Sequence, residues 1–210
     1  MPRAPRKAEE INGVRGKILD NALEIINEEG YDGLTMRELG RRLGCAAKTI
    51  YNYFCSKEEM YLGILTKGFE TLNSGADEAI HGVVDPVERL RILCGVYIRF
   101  GLENVYYYNL MFSRDLPKYT NYLGTHFEPA AREEKETAMH YAVVAEAAIS
   151  EILVREGGNL KEKIAYHLVR MWSMLHGYVS LHNSRSFREY HSDTLQFQQR
   201  IVEELLASLK

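Results

Sequence analysis

Apolar residues recur every three or four positions over most of this chain, with polar residues between them. That is the period of an amphipathic helix, and the alternation a half-buried strand needs is almost absent, so the pattern predicts an all-α protein. Val14, Ile18, Leu19, Ala22, Leu23, Ile25 and Ile26 make the stripe of a first helix over about 12–29, ended by Gly30. Met36, Leu39 and Leu43 carry a short second helix that Gly44 closes. Ala46, Ile50 and Phe54 then share one side of a third, over about 46–53. A fourth helix, from Lys57 to about Val83, keeps Met60, Ile64, Leu65, Phe69 and Leu72 on its core face. Asp85-Pro86 with Glu88 opens a fifth, and residues 104–113, NVYYYNLMFS, form a short aromatic one. The period is lost from Arg114 to about Thr125. Three more helices follow, over about 128–155, 160–183 and 192–209.

Local start signals sharpen residues 34–57. Thr35 with Glu38, and Ser56 with Glu59, have capping-box spacing; Leu34 with Leu39, and Cys55 with Met60, stand at staple positions. Two short helices joined by a glycine turn can lay the second in a DNA groove. Charge agrees. The chain as a whole is −3, yet Arg37, Arg41, Arg42, Lys48 and Lys57 face one acid, Glu38, in this stretch. The third helix turns Ala47, Lys48, Tyr51 and Asn52 away from the apolar side, with Thr49 on its flank.

Composition removes several function classes. No run of about 18 apolar residues exists and the N-terminus lacks an apolar leader core, so a cytoplasmic protein with no membrane partner is expected. Cys45, Cys55 and Cys94 are irregularly spaced and read as free thiols, although a redox switch through the first two remains open. Glu136 and His140 share a helix face, but no HExxH or doubled Glu-x-x-His pattern accompanies them, so neither a metal nor a cofactor is expected. No nucleophile-plus-base pattern or Gly-rich phosphate loop supports an enzyme. The domain reading is a flexible basic arm at 1–10 with Arg3, Arg6 and Lys7, a helix-turn-helix domain at 11–57, and a helical ligand-binding and dimerisation domain at 58–210.

The string TMRELGRRLGCAAKTIYNYFCSKEEM, residues 35–60, resembles the DNA-binding signature of the TetR family of transcriptional regulators. It departs from that signature at Gly40, where Ala is usual, and at Cys45-Ala46, where Val-Ser is common; Ala46 is a poor N-cap. The resemblance implies a homodimeric repressor that binds a double-stranded operator and leaves it when a small, largely apolar or aromatic effector binds. By the same resemblance Thr35 and Arg37 meet phosphate at a helix N-terminus, Thr49, Tyr51 and Lys57 hold the DNA backbone, and Ala47, Lys48 and Tyr53 look at base edges. Tyr53 could equally pack on Ile50. Arg15 or Lys17 would be a peripheral phosphate contact.

The rest of the chain says less. Tyr97, Phe100, Tyr107, Met111, Phe112, Met139, Tyr141, Trp172 and His176 could line an apolar pocket, though any one of them alone is more simply core. His176 is the polar group best suited to orient a ligand. Residues 172–177 resemble the W-x-x-x-H-G signature of the family's penultimate helix, and the resemblance implies a dimer interface built from the last two helices. Gly177, Leu195, Val202, Leu205, Leu206 and Leu209 are its expected residues. The alternatives are a C-terminal domain that only dimerises or senses metal or redox state, and a helical-bundle enzyme.

Overall fold

The computed structural model describes residues 8–113, 116–154, 159–191, 194 and 196–209. Every regular element among them is helical: α1 (Ala8–Gly33), α2 (Met36–Arg42), α3 (Ala47–Ile50), α4 (Lys57–Ile80), α5 (Pro86–Glu103), α6 (Val105–Tyr108), α7 (Glu128–Leu153), α8 (Leu160–Asn183), α9 (Ser186–Tyr190) and α10 (Gln196–Ala207). A π-helical turn at Asn109–Ser113 extends α6, and a 3-10 turn covers Tyr119–Tyr122. The basic arm residues Arg3, Arg6 and Lys7, and the expected helix start at Ser192, lie outside the described residues.

The chain forms two compact units. The first takes Met1–Lys67 together with Asp115–Glu134, the second Gly68–Arg114 together with Lys135–Lys210. In the first, Gly30 takes a left-handed φ of 78° and breaks α1, which resumes for one turn to Gly33. The predicted apolar stripe of α1 is buried from Ile18 to Ile26, with Leu34, Leu39, Ile50, Phe54, Met60 and Ile64. Ala46 is exposed instead of packing beside Ile50 and Phe54. A second small core joins Leu62 to Tyr122 and Ala131, and the Tyr61 hydroxyl donates to the Pro117 carbonyl at 3.2 Å. The aperiodic stretch after residue 115 therefore packs through side chains that no helical period reveals.

The second unit packs α5 against α8 and α10. Two glycines set its close approaches: a Cβ at Gly101 would lie 2.5 Å from Val179 Cγ1, and one at Gly68 2.7 Å from Met111 Sδ. Asn183 donates to the freed Gly101 carbonyl at 2.9 Å. The stripe of α10 is covered within the single chain. Val202, Leu205, Leu206 and Leu209 are all at most 6% exposed in the single chain, because α10 spends its apolar face on α5. Leu195 lies outside the described residues.

Candidate nucleic-acid interface and ligand cluster

The candidate reading head is built from α2, its turn and α3. Thr35 caps α2, its hydroxyl accepting the Glu38 N–H at 3.1 Å. Only half of the expected capping box forms, since the Glu38 carboxylate takes Arg41 at 2.5 and 2.8 Å and Arg42 at 3.2 Å instead. Those two guanidinium groups hold the Glu38 carboxyl down to about 2. At the second box Ser56 accepts the Glu59 N–H at 3.1 Å, while Glu59 reaches one residue further back, to the Cys55 N–H at 2.7 Å. Cys55 is exposed and does not staple the helix.

Between the helices Gly44 turns the chain at φ 64°. Gly40 has a steric reason as well. A Cβ there would stand 2.8 Å from the Cys45 carbonyl and 3.1 Å from the Ala47 nitrogen, so the α2–α3 approach has no room for a methyl group. The second helix of the pair is short. Ala46 offers no side-chain cap, α3 holds only Ala47–Ile50, and residues 51–53 continue as turns. An uncapped start, the β-branched pair Thr49-Ile50 and Asn52 all disfavour a longer helix.

The outer face presents Thr35, Arg37, Lys48, Thr49 and Tyr51 to solvent, with Ala47 and Tyr53 half-buried. Tyr53 gives its backbone carbonyl to Arg15. The five basic residues are not equally available. Arg42 is spent on Glu28 at 2.6 Å, Glu29 at 3.0 Å and Glu38, and Arg41 on Glu38. The Lys57 ammonium sits 3.9 Å from the Tyr31 ring centroid and 3.9 Å from Asp32 Oδ1, turned back onto α1. Arg37 and Lys48 are exposed and pair with no acid among the described residues. The acids responsible, Glu28, Glu29 and Asp32, lie just outside the window whose charge looked so positive.

Two domain-family models match the chain: one described as bacterial regulatory proteins, tetR family, over residues 18–64, and one described as tetracyclin repressor-like, C-terminal domain, over residues 90–205. The chain belongs to the TetR family. The first of these matches runs from within α1 through α2 and α3 to the start of α4, and so includes the exposed face of Arg37 and Lys48. Among TetR relatives, the transcriptional activator FasR of Mycolicibacterium smegmatis is 32% identical over 48% of this chain and 46% of its own length. The repressor KstR of the same organism is 33% identical over 39% and 40%. The chain thus spans under half the length of these curated relatives. Over the whole fold it is similar to the regulatory protein SCO4313, with TM-score 0.75, 20% identity and 97% and 100% of the two chains covered. FadR from Bacillus subtilis in complex with stearoyl-CoA superposes with TM-score 0.68, 16% identity and coverage of 91% and 97%. AibR in complex with isovaleryl coenzyme A and operator DNA does so with TM-score 0.64, 16% identity and coverage of 92% and 96%.

Within the second unit, some of the expected ligand residues come together. The Trp172 indole N–H donates to the Tyr97 hydroxyl at 3.0 Å, Tyr97 and Tyr108 share a hydrogen bond at 3.2 Å, and Tyr108 meets His176 Nδ1 at 2.7 Å. Phe112 packs its ring against Tyr97, Tyr108, Trp172 and His176. Tyr141 lies beside Tyr97 and donates to the Leu93 carbonyl. Burial raises Tyr97 to about 12 and lowers His176, so every member of the chain is neutral near pH 7. Trp172 is a pure donor, and the hydroxyls of Tyr97 and Tyr108 each both donate and accept, so the chain closes with either tautomer of a neutral His176.

Tyr108, fully buried at the hub, was not among the residues singled out from sequence. Its four-residue spacing to Phe112 was the available signal, but the pair Tyr107 and Met111 has the same spacing, and those two pack over Gly68. Phe100 is core, and Met139 is 50% exposed on α7 and takes no part in the cluster. A separate open groove of about 640 Å³ runs between α4 and α7, lined by Glu70, Asn73, Ser74, Asp77, Glu78, Glu136, Thr137 and His140. His140 and Asp77, 3.0 Å apart, bridge it.

Proposed function

We propose that this TetR-family regulator is a homodimeric repressor whose operator is released by a largely apolar ligand, with an acyl-coenzyme A thioester as the first class to test. The observation that carries the DNA half is the outward face of Arg37, Lys48, Thr49 and Tyr51 on the matched reading head. Arg37 and Lys48 supply charge to the phosphates, Thr49 and Tyr51 fix register, and with Ala47 and Lys48 at the base edges part of the specificity comes from DNA shape.

The ligand half draws on the acyl-coenzyme A compounds bound by FadR and AibR and on the aromatic cluster. Tyr97, Phe112, Tyr141 and Trp172 offer the apolar wall an acyl chain needs, and His176 Nε2 is the polar atom left over once Nδ1 pairs with Tyr108. The acidic groove between α4 and α7 suits neither an acyl chain nor a phosphate.

We place the proposed dimer surface away from the stripe of α10, which α5 covers in the single chain. Supporting it instead is the exposed side of α8, where Tyr166, Val169, Ser173, Gly177 and Leu181 follow one another at three- and four-residue steps. A Cβ at Gly177 would meet nothing within 4 Å in the single chain, which leaves space for a partner helix to approach closely. The test is release: stearoyl-CoA and isovaleryl-CoA are titrated into a preformed complex with the DNA upstream of the chain's own coding region. Saturable release by one of them, abolished in Phe112→Ala, is expected. Release by neither, with calorimetry showing no binding, would overturn the ligand class.

A further inference from the structure

The corner between α3 and α4 is held by one arginine. Backbone N–H groups of residues 51–54 take the Ala47, Thr49 and Ile50 carbonyls of α3, and three residues past the helix the Tyr53 carbonyl turns to a side chain instead. That side chain is Arg15 of α1. Its guanidinium donates to the Tyr53 carbonyl, lies 4.0 Å from the centroid of the buried Phe54 ring and pairs with Glu59 Oε1 at 3.4 Å. The other oxygen of the same carboxylate, Oε2, takes the Cys55 N–H at 2.7 Å. The Tyr53 carbonyl and the Cys55 N–H, two residues apart, thus both bond to a single Arg–Glu pair, its arginine on α1 and its glutamate in the first turn of α4.

We infer that Arg15 and Glu59 are positioning residues for DNA recognition. They set the angle at which α3 presents Lys48, Thr49 and Tyr51, and neither touches DNA. This departs from the phosphate contact that the family resemblance implied for Arg15, because three of the arginine's faces are already occupied inside the head. The inference rests on the head being the DNA-binding surface.

Charge separates the two roles. A phosphate contact at Arg15 contributes to counterion release, so its loss lowers the slope of log K against log salt by about one. A positioning residue leaves that slope alone and lowers the ratio of specific to scrambled binding. Glu59→Gln is the sharper variant: it removes a negative charge beside the DNA surface, so simple electrostatics demands tighter binding, whereas positioning demands weaker.

The experiment measures anisotropy binding of the full chain to its preferred fragment and to a scrambled one across a salt series, for wild type, Arg15→Ala, Arg15→Lys and Glu59→Gln. Circular dichroism melts accompany each. The expected result is a loss of about tenfold or more in specific affinity for all three variants, with salt slopes equal to wild type. Arg15→Lys fares little better than Arg15→Ala, because an ammonium cannot reach both the carbonyl and the carboxylate in one plane. Tighter binding by Glu59→Gln, or a slope reduced by about one in Arg15→Ala and restored in Arg15→Lys, would overturn it. If Arg15→Ala fails to fold, the two conservative variants still decide. No wild-type binding to either fragment at low salt would count against the DNA-binding reading itself.

Discussion

The first unit pairs its charged groups near the surface, with Arg41 and Arg42 on Glu38 and Lys67 on Asp20. The second has surface pairs too, such as Arg91 with Glu203, but also threads half-exposed Trp172 through Tyr97 and Tyr108 to His176 in one hydrogen-bonded chain. Water can replace a lost partner at the surface of the head; at the buried Tyr97–Tyr108 pair it cannot. Similar substitutions in the two units should therefore have very different effects. In the head they change how DNA is held, and in the second unit they change whether the core survives.

The largest effect should come from Leu205→Asp. At 1% exposure this side chain is core, so the variant should lose about 4 kcal/mol or more in denaturant unfolding, while Val169→Glu, 61% exposed, should fold and instead run as a monomer on a sizing column. A folded Leu205→Asp monomer would return the α10 stripe to the dimer interface. Next comes Tyr108→Phe. It leaves Tyr97 and His176 without their shared partner and should cost about 1–3 kcal/mol by chemical denaturation; no change would mean that water already serves that chain.

A smaller effect follows from His176. Its folded pKa is lowered by burial, so the unfolded chain binds the proton more readily. Stability from this group is complete above about pH 6.5, the unfolded value, and falls as pH drops through the lowered folded value. His176→Gln should flatten that part of the stability–pH curve; an unchanged curve would mean that His176 is not the titrating group. Smallest in stability, yet visible in DNA binding, are Lys48→Ala and Arg37→Ala. Each should reduce the salt slope by up to about one with melts unchanged, while Arg41→Ala, already paired with Glu38, should reduce it less.

The same contrast explains what could be read from the sequence. Thr35, Gly44, Ser56, Asp85 and Asn159 act within a few residues of themselves, and each marks its helix end in the structure. The all-helical class and the core faces of α1 and α4 follow from period alone. Tyr108, by contrast, is defined by residues 11 and 68 positions away, and nothing in a local window distinguishes it from Tyr107. The packing of Tyr122 and Ala131 on Leu62 is equally remote. An apolar stripe such as that of α10 says that a face will be covered, but not whether α5 or a second copy covers it. Window charge misled in the same way, since Glu28 and Glu29 reach Arg42 across 14 and 13 residues.

The most direct test of the account is fluorescence-anisotropy binding of the wild-type chain to the DNA upstream of its own coding region, across a salt series, beside a scrambled fragment of equal length. Tight binding that prefers the native fragment and weakens steeply with salt is the predicted result. No binding to either fragment at low salt, from a folded protein, would contradict the claim that the Arg37–Lys48 face reads DNA.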